Sequence, residues 1–174
     1  MTSARDSAVG ISRLANLWLA GANRAVVVLV ALVCFVISDP VSAAIETVVI
    51  RDDKGGDVIE RVRILRDYQA SGTRVEIRGE YCLSACTMYL NLPNTCVSPQ
   101  TLFGFHGPSS RVYGISLDAA AFEYWSKIMA AHYPEPLRSW FLAKGRHRTV
   151  GFYEFSGNDL IGFGIAQCAN VRKG

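Results

Sequence analysis

Beyond residue 44 the chain switches repeatedly between a strand-like and a helix-like spacing of its apolar positions. Residues 45–51, "IETVVIR", are rich in β-branched side chains and predict a first strand. "DDKGGD" (52–57) brings two glycines and predicts a turn. Val58, Val62 and Leu65 then recur on one helical face, with Glu60, Arg61 and Arg63 assigned elsewhere. The helix closes at Ser71 and Gly72, and residues 73–78 predict a second strand. A strand, helix and strand in this order favour parallel pairing.

The next stretch repeats the unit. A break at 79–83, "GEYCL", precedes a short helix from Ser84 to about Leu92 that Pro93 stops. "TCVSPQTLFGFH" (95–106) predicts a strand or a pair of short strands ending at His106, and 107–115 reads as a surface loop. Ser116 is expected to cap a helix carrying Leu117, Ala121, Trp125 and Ile128. "YPEP" (133–136) breaks it, and a further helix with Leu137, Trp140 and Phe141 ends at Gly145. The tail, 152–168, predicts a capped short helix and a last strand. The aromatic set Phe122, Tyr124, Trp125, Trp140 and Phe141 is read as core, with a substrate groove or an oligomer contact as the other uses of such a stripe. The fold class is α/β, a compact parallel sheet flanked by helices in a single domain, 45–174.

The first 44 residues look different. Arg5, Arg13 and Arg24 precede the apolar run "AVVVLVALVCFVIS", and small residues at Ser42, Ala43 and Ala44 suit a signal-peptidase cut. The run is shorter than the ~20 residues that span a bilayer, so a cleaved export signal is expected, and a retained N-terminal membrane anchor is the alternative. Without this segment, 15 basic and 13 acidic residues remain, without a basic block, so nucleic acid is not indicated. The expected location is the periplasm or another exported compartment.

Cys34 lies within the signal, where Leu32 and Val33 do not form a lipoprotein site, and four cysteines follow: Cys82, Cys86, Cys96 and Cys168. In an oxidising compartment an even set reads as disulfides, with three full pairings open. Cys82 and Cys86 are expected to tie the turn around Ser84 to Cys96 or to Cys168. A metal site of Cys82, Cys86, Cys96 and His106 lacks a C-x-x-C pair, so no metal is expected.

Ser84, taken alone, is a residue type that commonly caps a helix. Its position changes the weighting. It follows a strand and heads a helix, the edge where open α/β sheets place ligands and where free N–H groups can stabilise an oxyanion. His106 stands 22 residues on, at the end of the next strand, which parallel pairing returns to the same edge. Taken alone, it could equally be a loop histidine with a satisfied hydrogen bond.

From about Val48 to Ala166 the chain resembles the ClpP/crotonase superfamily, in particular small exported ClpP-like proteins of the serine-peptidase branch. Four motifs carry the likeness: "DDKGGDVIERVRIL", with a Gly-Gly turn before a helix; "CLSACTMYL"; "GFHGP"; and "FSGNDLIGFGIA". The resemblance implies that Ser84 is a nucleophile and His106 its general base, with the oxyanion held by the N–H of Ala85 and one from Gly55-Gly56. It implies no cofactor, a peptide or protein substrate, and the option of a homo-oligomer, although the chain lacks the first βα unit of a full ClpP subunit.

The sequence departs from the family at the acid of the triad. "KGRHRTVGFYE" places His147 and Arg148 where an aspartate is expected, and offers Glu154 several residues late. Glu154 as the third member, a Ser-His dyad, and a site that has lost its chemistry are the three readings. The function expected is an exported serine hydrolase, a peptidase; the alternative is an inactive ClpP-type fold that binds a peptide or partner protein. Acyl-CoA chemistry does not suit an exported chain.

Overall fold

The computed structural model describes residues 45–110 and 116–170; the export signal expected at the N-terminus lies outside them. The chain opens with β1 (Thr47–Ile50), which leads through the Gly-Gly turn into α1 (Val58–Ser71). Asp57 caps that helix by accepting the Glu60 N–H, and Gly72 ends it in a left-handed conformation. β2 (Arg74–Ile77) then pairs in parallel with β1, Val75 opposite Val48 and Ile77 opposite Ile50.

What the sequence predicts as one sheet is two. β3 (Tyr81–Leu83) leaves β2 at Gly79 and Glu80; β5 (Leu102–Phe105) leaves β4 (Thr95–Val97) at Pro99 and Gln100. β1, β2, β4 and β7 (Ala166–Gln167) form a wholly parallel sheet, and β3, β5 and β6 (Tyr153–Ser156) form the second. β3 and β5 are parallel, and β6 runs antiparallel to β5. The bend is tied by side chains. Asp52 Oδ1 accepts the Glu80 N–H at 2.6 Å, and Thr101 Oγ1 donates to the Gly79 carbonyl at 2.7 Å. An isolated parallel bridge between Asp53 and Cys82 brings the segment after β1 alongside β3.

Between β3 and β4 runs a 3₁₀ helix, Ser84–Asn91, buried from Ala85 to Leu90. The other helices are α2 (Ala119–Ala130), α3 (Leu137–Ala143) and α4 (Gly157–Gly162), with a 3₁₀ turn at Gly145–His147. Val75, Ile77, Val97, Phe103 and Phe105 from the strands meet Leu65, Met88, Met129, Tyr133, Phe141 and Leu160 in one core. Each such side chain contributes about 1.5–3 kcal/mol by leaving water. The result is a mixed α/β domain, a parallel sheet flanked by helices, in one compact unit from residue 44 onward. Among the described residues, no helix is long and apolar enough to cross a membrane.

Five expectations change. Asp118, not Ser116, caps α2, its carboxylate accepting the Ala121 N–H at 2.7 Å. Residues 153–156 form β6, whose alternation the sequence reading passed over ahead of α4. Cys82 is bonded to Cys86 and Cys96 to Cys168, so the pair around Ser84 closes on itself instead of reaching β4 or the tail. Arg61 turns inward, because position 61 lies one turn after Val58 and shares its face. The aromatic set divides: Phe141 is core, Trp140 packs edge-on to Phe105 and Phe155, Tyr124 is exposed and Trp125 faces a cleft.

Candidate active site

Ser84 is the first residue after β3, and its φ of 54° lies in the left-handed region. A non-glycine residue there costs on the order of 1–3 kcal/mol and persists only where its surroundings hold it. They do so from several sides. The Cys82–Cys86 disulfide straddles Ser84, with Cα atoms 5.3 Å apart. Thr87 Oγ1 donates to the Ser84 carbonyl at 2.7 Å and pairs with the buried Tyr133 hydroxyl at 2.8 Å. Burial pushes that phenol well above its ordinary pKa, so it stays a neutral hydrogen-bonding partner. On the incoming side, Leu83 N–H donates to the Asp53 carbonyl at 2.8 Å.

Ser84 is not a helix cap. Leu83 occupies the N-cap position of the 3₁₀ helix, which has no side-chain cap, and the Ser84 hydroxyl points elsewhere. Its Oγ lies 2.7 Å from Nε2 of His106, at the end of β5. The parallel pairing of β3 with β5, Leu83 opposite Gly104, delivers both residues to one edge. Burial lowers the His106 pKa below the usual imidazole value, and a hydrogen bond with the Gly107 backbone opposes this in part. At neutral pH the ring is therefore uncharged and able to accept a proton. Gly107 N–H donates to the Arg148 carbonyl at 3.0 Å, and a Cβ at position 107 would strike the Arg146 carbonyl, so glycine lets the two segments meet.

No carboxylate hydrogen-bonds to His106 among the described residues. Phe152 and the imidazole form a T-shaped pair, ring centroids 5.3 Å apart. Glu154 is exposed in β6 opposite Gly104, two residues further along the strand. His147 ends the 3₁₀ turn, exposed, near Phe122.

The Gly-Gly turn lies against Ser84. A Cβ on Gly55 would come within 2.6 Å of the Ser84 Cβ and 3.0 Å of the Ala85 nitrogen. Gly55 and Gly56 have φ of 98° and 121°, values that glycine alone adopts without strain. The Gly55 N–H is already taken by Asp53 Oδ1 at 2.7 Å. The Gly56 N–H has no acceptor among the described residues, and the Ala85 N–H lies in the first turn of its helix, where no intrahelical acceptor exists.

Ser84, His106 and Gly56 line a cleft of about 770 Å³. Val58, Ile59, Leu117, Trp125 and Met129 make its wall largely apolar, a size and character suited to a small ligand or a short peptide segment. Beyond the cleft, Glu76 approaches the sulfurs of Cys96 and Cys168. Those sulfurs are bonded to each other and Glu76 is paired with Arg74 and Arg78, which leaves no thiolate for a metal.

The sequence motifs bring together Ser84, His106, Gly55, Gly56 and Ala85, and leave Glu154 outside that group. Sequence reasoning missed Arg61, Asp53 and Phe152, which border the site. The spacing of Arg61 from Val58 and Leu65 was the signal that pointed to the first. The chain matches no protein-family model and no curated protein.

Proposed function

We propose that this chain is an exported serine hydrolase of the ClpP-like type, a peptidase, with Ser84 as nucleophile and His106 as general base. One observation carries the reading: the 2.7 Å contact between Ser84 Oγ and a neutral, half-buried imidazole, made by a serine in a strained elbow beside an apolar cleft. A structural serine has no need of that backbone, and a hydroxyl so placed can lose its proton as it attacks.

In the proposed reaction, Ser84 Oγ adds to the scissile carbonyl while its proton passes to Nε2 of His106. The negative charge forming on the carbonyl oxygen is met by the N–H groups of Gly56 and Ala85. Collapse expels the amine, which takes the proton from His106 and leaves an acyl-Ser84. Water then attacks, giving its proton to His106, and the carboxylic acid leaves as Ser84 is reprotonated. The two disulfides support placing this chemistry in an oxidising, exported compartment such as the periplasm.

Phe152 behind His106 favours a second reading, a ClpP-like fold that binds a peptide or partner protein without turnover. Loss of the orienting carboxylate costs on the order of 10⁴ in turnover in serine hydrolases. A covalent probe is therefore a better test than substrate consumption. A fluorophosphonate should label the wild-type chain at Ser84 and fail to label Ser84→Ala or His106→Ala. Labelling that persists unchanged in Ser84→Ala, or an unlabelled wild type, would reject the hydrolase and leave the binding protein.

A further inference from the structure

We propose that Arg61 and Asp53 are positioning residues that lock the Gly55-Gly56 peptide with its N–H turned toward Ser84. The inference rests on the hydrolase reading and goes beyond it to what keeps the oxyanion donor in place.

The two residues form a partly buried ion pair, with side chains 9% and 19% exposed and Arg61 Nη2 2.6 Å from Asp53 Oδ2. The same Nη2 donates to the Gly55 carbonyl at 3.1 Å, while Asp53 Oδ1 accepts the Gly55 N–H at 2.7 Å. Both polar groups of Gly55 are thus taken by one ion pair. Arg61 is itself fixed, since Nη1 donates to the Tyr89 hydroxyl and the guanidinium carbon lies 4.6 Å from the centre of the Tyr89 ring. Tyr68 in turn stacks on Tyr89, centroids 6.1 Å apart.

The consequence follows from peptide geometry. The Gly55 carbonyl and the Gly56 N–H belong to one planar trans unit and point in opposite directions. Holding the carbonyl inward on Arg61 sends the N–H outward, on the side where Gly56 lines the cleft with Ser84 and His106. A peptide between two glycines meets little steric resistance to rotation, so without the guanidinium it can flip and present a carbonyl where the oxyanion must form. The planar fork fixes this arrangement, with Nη1 on the Tyr89 hydroxyl while Nη2 serves the carboxylate and the carbonyl; a lysine ammonium supplies the charge without the second arm that orients it.

The test measures the second-order rate of fluorophosphonate labelling of Ser84 across pH in the whole chain, for wild type, Arg61→Lys and Asp53→Asn. Near-UV circular dichroism and melting serve as checks on folding. The expected result is a fall of about 10²–10³-fold in labelling, the usual consequence of losing one oxyanion donor, with the acid-side midpoint set by His106 unmoved. General loosening of the site would shift that midpoint as His106 became hydrated. The inference is overturned if a folded variant labels within twofold of wild type, or if the rate falls only together with a shifted midpoint. Should Arg61→Lys not fold, the near-isosteric Asp53→Asn decides alone. An unlabelled wild type overturns the hydrolase reading and this inference together, whereas normal labelling of the variants overturns only the inference.

Discussion

The Phe152 ring packs in a T-shaped arrangement with the imidazole of His106, 5.3 Å between centroids and with the two planes 70° apart. The strand register explains the contact. β5 and β6 pair with Phe105 opposite Tyr153 and Gly104 opposite Glu154, so the next position brings His106 across from Phe152. The proposed base is therefore backed by an aromatic ring where a triad would place a carboxylate. Desolvation of His106 is then opposed by the hydrogen bond with the Gly107 backbone and not by a carboxylate.

That environment fixes the direction of the pH dependence. The His106 pKa is lowered from 6.5 by burial, so the neutral, proton-accepting form persists to more acidic pH than in a free imidazole. Ser84 labelling by a fluorophosphonate should keep more than half its rate at pH 6.5, with the midpoint of the acid limb below it. The imidazole proton resonances of His106, followed by NMR, should titrate in step. A midpoint at or above 6.5 would contradict the account.

Putting a carboxylate at the aromatic position should reverse that shift. In Phe152→Asp the anion stabilises the imidazolium, raising the His106 pKa relative to the wild type. The acid limb of labelling moves up by the same amount. Phe152→Leu, which restores no charge, should keep the midpoint low, and a rise equal to that of the aspartate variant would show that packing and not charge sets the value.

The two disulfides should separate stability from reactivity. Cys96 and Cys168 are 72 residues apart in sequence, Cys82 and Cys86 only four. Chain-entropy arguments give about 4 kcal/mol for the long loop and about 2 kcal/mol for the short one. Replacing Cys96 and Cys168 by alanine should lower the denaturation midpoint more. Replacing Cys82 and Cys86 by alanine should slow Ser84 labelling more, because that bond spans the strained elbow. Parallel losses in both measurements from both variants would remove the distinction.

The β1-α1-β2 unit was legible because β-branched runs, paired glycines and the spacing of Val58, Val62 and Leu65 are local signals. The pairing of Ser84 with His106 was legible because parallel strands return residues after each strand to one edge. Other features depended on what local pattern does not encode. The split into two sheets rests on long-range bonds from Asp52 to Glu80 and from Thr101 to Gly79. Cysteine pairing depended on the tight turn at Ser84, which brings Cys82 and Cys86 together. The inward turn of Arg61 depended on Asp53 and Tyr89, partners that a charged residue needs before it can be buried.

The Gly-Gly turn yields the sharpest contrast. Alanine at 55 and at 56 each faces an unfavourable positive φ, so each should cost on the order of 1–3 kcal/mol. Only at 55 does the added methyl also collide, at 2.6 Å from the Ser84 Cβ and 2.8 Å from the Leu83 carbonyl, while at 56 nothing lies within 4 Å. Those neighbours are the elbow itself, held by a disulfide and a core hydrogen bond, so they can yield only by moving Ser84 off His106. Gly55→Ala should therefore melt lower than Gly56→Ala, by about a further 1–3 kcal/mol of overpacking, and should lose at least about 10²-fold in Ser84 labelling. Thermal melts and labelling rates measured side by side decide it; equal stability of the two variants, or wild-type labelling of Gly55→Ala, would show that the turn does not press on the serine.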